Sequence, residues 1–215
     1  MNPTLSHPKP LPDTVLAGRA LRRWLAQPQA DADPGWIACG APGGSPLRAR
    51  LAAVALRRML PAPELDLDAL QRWHPWLTRP LEQIEADLMR AAGLALQRQI
   101  RRCIHGNQRQ LLVQTLGLDL YQEVMQTQWQ QGQLEALDTL HLPLPQWHVR
   151  QQVLACGLHL ARQVLLRASP YLAQRLLLLF PADIVLPPAS GKQWSAAAYA
   201  LASTLLQPKA AHDDH

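Results

Sequence analysis

One phenylalanine, three lysines and three cysteines are all that 215 residues hold of these types. Cys39, Cys103 and Cys156 are odd in number and lack framework spacing. That excludes a disulfide scaffold and reads as free thiols in a reducing cytoplasm. Long apolar runs are also missing. The longest candidate, residues 176–180, falls far short of the ~18 residues that a membrane-crossing helix needs. Residues 1–13 place Pro and His where a signal peptide carries an apolar stretch, so export by that route is not expected. Charged residues make up 17% and hydrophobic residues 48%, which excludes a mostly disordered chain and allows a real core. Signatures of catalysis are missing too: no G-x-S-x-G, no H-E-x-x-H, no Walker loop and no G-x-G-x-x-G. The expectation is a protein without catalytic residues, cofactor, metal or small-molecule substrate.

What charge there is leans positive, at +5 with a pI near 9.6. Residues 1–60 carry eight cations and three anions, residues 61–110 seven and six, and residues 111–215 six and seven. Only Lys9, Lys192 and Lys209 are lysines; the other cations are arginines, which form forked hydrogen bonds to carboxylates and phosphates. So mild a balance suits an acidic protein partner as well as nucleic acid and does not choose between them.

Hydrophobic periodicity predicts an all-α fold: one globular multi-helix domain over residues 14–207, with Pro-rich connectors, a flexible arm at 1–13 and a flexible tail at 208–215. Helices are expected at 14–27, 46–60 and 66–73, the last ended by Pro75. The clearest segment is a long central helix near 79–105, with Thr78 as its cap and Gly106-Asn107 as its stop. Gly93 sits inside it at a cost of about 1 kcal/mol against Ala, which a close helix crossing would justify. Further helices are expected at 107–116, 119–131, 146–168, 169–180 and 194–206. Residues 28–46 read as a long Gly/Pro loop and 141–145 as an extended connector. Residues 183–186 are the one short candidate for a strand.

Few motifs carry chemistry. Residues 40–46 (GAPGGSP) precede a helix but lack the Lys and the strand of a phosphate loop, so an ordinary loop is favoured. Cys103-Ile104-His105 and Cys156-x-x-His159 invite zinc, yet each pair stands alone, and buried Cys is common as a small apolar residue. Arg98, Arg101, Arg102 and Arg109 cluster near the end of the long helix, whose opening carries Glu82, Glu85 and Asp87. Matching the helix dipole explains part of that pattern. Between Arg90 and Arg109 there are five arginines and no acidic residue, more than dipole matching needs. Arg98, Arg101 and Arg102 share a helix face and are the candidate protein-docking residues. Their competing roles are to solvate the helix end or to pair internally with Glu82, Glu85 or Asp119. Most of the seven tryptophans read as core filling, Trp73 and Trp76 among them. Trp36, in the Gly/Pro loop, is the one expected to be exposed and to serve a partner.

Residues 92–106 read AGLALQRQIRRCIHG. A Gly-Leu-x-Leu helix running into Ile-Arg-Arg-Cys resembles the central helix of the SctK family, the YscK-like accessory components of the type III secretion sorting platform. The likeness continues through Leu111-Leu112, residues 119–124 (DLYQEV), the connector at 142–146, Gly157-Leu158 and the segment from Arg175 to Pro181. It covers roughly residues 85–205, with little before residue 60. The resemblance implies a non-enzymatic adaptor at the cytoplasmic face of the inner membrane, required for effector secretion and virulence. Its implied partners are the cytoplasmic domain of the ring protein SctD and the pod protein SctQ, with SctL and the export ATPase reached indirectly. Contact with the membrane would run only through the ring protein. No contact residues follow from it. The alternative is a helical nucleic-acid-binding protein using the Arg-rich surface.

Overall fold

A computed structural model describes residues 21, 23–36, 54–56, 58–61, 67–103, 106–142, 145–146, 149–187 and 194–207. Among these the regular elements are all helical, so the fold is all-α. The helices are α1 (Leu67–Leu77), α2 (Leu81–Ala95), α3 (Gln97–Arg102), α4 (Gly106–Leu116), α5 (Leu118–Gln126), α6 (Gln131–Thr139), α7 (Arg150–Ala168), α8 (Pro170–Leu178) and α9 (Ala196–Leu206). Two short 3-10 turns, Pro28–Ala30 and Pro34–Trp36, precede them. Residues 23–26, 54–56 and 58–59 are helical as well. The expected arm and tail, and most of the expected first two helices, lie outside the described residues. No helix among the described residues is long and apolar enough to cross a membrane.

The fold is organised on α2 and α7. Helix α2 packs on α7, α9 and α5, and α7 packs in turn on α8 and α9. Residues 91–97 and 153–161 are buried on every side. A helix apolar all round must sit inside the protein rather than on its rim. Small residues make the approach close: Ala91-Ala92-Gly93 on α2, and Ala155-Cys156-Gly157 on α7. A Cβ at Gly157 would lie 2.7 Å from the carbonyl carbon of Leu88 and closer still to its oxygen. A Cβ at Gly93 would lie 3.1 Å from Val124 Cγ2, so the tight crossing that justifies this glycine is with α5.

Several expected boundaries change. The long helix is not continuous: it turns at Leu96 (φ −96°, ψ 12°) into α3. Gln97 explains the turn. Its amide is 1% exposed and donates to the carbonyls of Val124 and Thr127, where α5 ends. Burying an amide requires such partners, and the turn places it on them. Thr78 does not cap α2. Its hydroxyl donates to the His74 carbonyl at 3.0 Å and closes α1, while Pro80 stands at the start of α2. Pro75 does not end α1, which runs on to Leu77. Pro75 and Gln71, whose carbonyl loses its helical donor, are both exposed, while Trp73, Trp76 and Leu77 are buried. Water can serve that carbonyl, and burial of the three large side chains carries the helix past the proline.

The expected helix at 119–131 is shorter, and a helix that was not expected follows it. Helix α5 stops at Gln126, and α6 opens with a reciprocal capping box between Gln130 and Gln133. Residue 146 lies before α7 rather than in it, its N–H bonded to Gln152 Oε1 at 2.7 Å. Residues 183–186 form a turn and an irregular stretch, not a strand.

Candidate functional site

The arginine surface is built on α3, held rigidly by Gln97 and by Ile100, which is 2% exposed. Arg98 forks onto Asp138 at the end of α6, with Nη1 at 2.5 and 2.6 Å from the two carboxylate oxygens. Both side chains are about half exposed, so the pair contributes at most ~1 kcal/mol to stability. Arg101 donates through Nη2 to the carbonyls of Met125 (2.8 Å) and Thr127 (3.0 Å). It thus places a cation on the negative end of α5. Arg102 is exposed and has no ion pair among the described residues. The structure therefore brings the three arginines together but gives them different states: one forked to a carboxylate, one capping a helix, one open.

None of the three pairs with Glu82, Glu85 or Asp119. Asp138, some forty residues on, was not signalled by any local spacing. The neighbouring cations are also engaged: Arg90 with Glu123 at 2.9 Å, and Arg109 over the Tyr121 ring at 5.8 Å. Beside the Arg98–Asp138 pair lies a cavity of about 210 Å³ that includes Gln99 and His141. His141 adopts φ 46°, the left-handed region that non-glycine residues rarely enter.

Trp36 is elsewhere and differs from its expectation. It is half-buried, and its indole N–H donates to the Phe180 carbonyl at 2.6 Å. The Asp33 N–H bonds the Leu178 carbonyl at 2.7 Å, so this part of the Gly/Pro loop is fastened to the end of α8. The polar handle of Trp36 is used within the chain because α8 ends in open carbonyls that need donors.

Sequence reasoning missed the most unusual buried group. Arg175 on α8 is 2% exposed. Its Nη2 meets Asp31 Oδ2 at 2.9 Å, and its guanidinium lies 4.3 Å over the Trp24 ring. Trp24 meets His74 edge-on at 4.9 Å, and the Tyr171 hydroxyl donates to the Leu25 carbonyl at 3.2 Å. Together these pin residues 23–36 onto α1 and α8. The available signal was an arginine inside a leucine-rich helix, a position where a charge needs a partner.

Burial lowers the pKa of His74, with Arg175 adding to the effect and Asp31 opposing it. Burial also lowers that of His159, helped by Arg162 and opposed by a hydrogen bond to the Pro187 carbonyl. Both shifts favour the neutral imidazole in the fold, relative to the unfolded chain, which protonates near 6.5. The unfolded state then binds more protons below that pH, so stability is complete above ~6.5 and is lost as pH falls. Urea unfolding at pH near 7.5 and near 5.5 is expected to show the lower midpoint in acid. Replacing His74 and His159 by Phe and Leu should flatten the difference; an unchanged pH dependence would count against the assignment.

Burial pushes the Cys156 thiol up to about 11, which disfavours the thiolate that a metal needs. Among the described residues no group of three His, Cys, Asp or Glu is placed to hold a metal ion. His105 lies outside them.

Comparison of the chain with protein-family models, curated proteins and solved structures returns no match.

Proposed function

We propose that this chain is a non-enzymatic structural adaptor of a type III secretion sorting platform, similar to the SctK family. In this reading it works at the cytoplasmic face of the inner membrane and links the cytoplasmic domain of SctD to SctQ. SctL and the export ATPase are reached through SctQ, and effector export depends on the link. The observation that carries the reading is the order of the resembling segments. They fall in succession on α2–α3, α4, α5, the connector before α7, α7 and α8, around one core. An all-helical chain with an arginine face at the turn between α2 and α3 suits such a role.

Nucleic-acid binding is the second reading. It is disfavoured by the state of the cations, since Arg98 is forked onto Asp138 and Arg101 onto backbone carbonyls. Phosphate tracking needs several open cations along one surface. Affinity capture from cells that produce the protein natively, with nuclease treatment and mass spectrometry, separates the two. Recovery of the ring, pod and stator proteins is expected. Recovery that depends on nucleic acid, without these proteins, would overturn the proposal.

A further inference from the structure

Helix α9 reads AAAYALASTLL and has no charged residue. Its inner face, Ala198, Leu201, Ala202, Leu205 and Leu206, is buried, while Ala196, Ala197 and Ala200 are exposed. A surface helix ordinarily carries charge on its outer face. Of its polar groups, the Thr204 hydroxyl is withdrawn, donating back to the Ala200 carbonyl at 3.0 Å, and Ser203 lines the groove described next. The bare face borders a groove of about 330 Å³ between α1, the end of α7 and α9. Its apolar lining includes Ala69, Trp73, Val164, Ala168 and Ala200.

Charge decides what fits there. Arg72 and Arg167 line the same groove. Arg167 lies 4.5 Å over the Tyr199 ring, a stacking that fixes the guanidinium yet leaves N–H edges for a carboxylate. Arg72 is exposed and has no ion pair among the described residues. Asp68, the carboxylate that lines the groove, already has an interaction of its own. None of the residues of the α3 arginine surface belongs to this groove.

We infer that the groove between α1, α7 and α9 is a separate docking surface, and that it takes an acidic amphipathic helix of a protein partner. Small side chains on α9 let a helix approach closely, its apolar stripe covers Ala196 and Ala200, and its carboxylates reach Arg72 and Arg167. A bridging protein needs two such surfaces, but the inference stands on the groove alone and does not depend on which assembly the chain serves.

The test is selection of a displayed library of helix-forming peptides on the full chain, followed by titration of the enriched peptides. Enriched sequences are expected to carry Asp or Glu beside an apolar stripe. Arg72→Glu with Arg167→Glu, and separately Ala200→Arg, should each weaken binding by at least about ten-fold, and raised salt should weaken the wild type. Both changes are at exposed positions or on the groove rim; circular dichroism checks folding, and if one variant unfolds the other decides. Reversal of Arg98, Arg101 and Arg102 to Glu should leave peptide affinity unchanged. No enrichment, enrichment of basic or uncharged peptides, or loss of binding only on the α3 reversal would overturn the inference. So would duplex DNA held through Arg72 and Arg167 in place of acidic peptide.

Discussion

Gly157→Ala is expected to destabilise the protein by on the order of 3 kcal/mol, although alanine is the better helix former. The added methyl has nowhere to go. It would meet the backbone of Leu88, with the carbonyl carbon at 2.7 Å, and backbone cannot rotate aside as a side-chain tip can. Helices α2 and α7 would have to separate, and the buried segments on both sides of the crossing would lose contacts over several turns. Propensity returns only about 1 kcal/mol. Gly132 supplies the control: nothing lies within 4 Å of its Cβ position, so Gly132→Ala should stabilise by about 0.5 kcal/mol. Urea unfolding of both variants checks the pair. A Gly157→Ala protein as stable as the wild type would mean that α2 and α7 do not meet as described.

Asp31→Ala is expected to cost about 2–3 kcal/mol, a large effect for an exposed-side carboxylate. Asp31 is 44% exposed and readily solvated, but Arg175 is 2% exposed, and although burial lowers its pKa, a guanidinium stays protonated in proteins. Removing the carboxylate leaves a buried guanidinium whose Nε and Nη1 already lack partners among the described residues. The remaining compensation is the Trp24 face, worth about 2 kcal/mol for a desolvated cation. Arg175→Met removes the charge and fills similar volume, so it should cost little or even stabilise, and in the Asp31→Ala background it should restore most of the loss. A double-mutant cycle by thermal or urea unfolding measures the coupling. If Asp31→Ala changed stability by less than ~0.5 kcal/mol and Arg175→Met were the damaging change, the contact would be a packing feature and not an electrostatic one.

The helices of the core were readable because period and burial agree there. Residues 84, 88, 91, 92 and 95 repeat at helical spacing, and the structure buries all five. Gly93 was readable as a close crossing because only contact explains a glycine in mid-helix. The turn at Leu96 was not readable: periodicity continues across it, and its cause is the side chain of Gln97, a residue type that usually faces water. Pro75 misled because the local rule for proline takes no account of which side of the helix is wet. Helix α6 was missed, and α5 was extended to residue 131, because no Gly or Pro breaks residues 119–131; the Gln130–Gln133 box is the signal that was there.

At the arginine surface, the shared helix face was legible from the i, i+3, i+4 spacing, whereas the states of the three arginines were not. Asp138 reaches Arg98 only through tertiary packing. The same holds for Arg175 and Asp31, which are 144 residues apart. Local sequence shows where a charge sits; the partner that decides what it does is a long-range fact.

In the proposed adaptor role the α3 surface, where Arg102 is open while Arg98 and Arg101 are held within the chain, would dock a protein of the secretion platform, and calorimetric titration tests that proposal most directly. The full chain is titrated with the cytoplasmic domain of the SctD-type ring protein, as wild type and with Arg98, Arg101 and Arg102 reversed to Glu, at low and raised salt. The account predicts that the wild type binds, that salt weakens binding, and that the reversed variant binds at least about ten-fold more weakly while its helical circular dichroism signal is unchanged. A wild type that does not bind, or a folded variant that binds as tightly as the wild type, would contradict it.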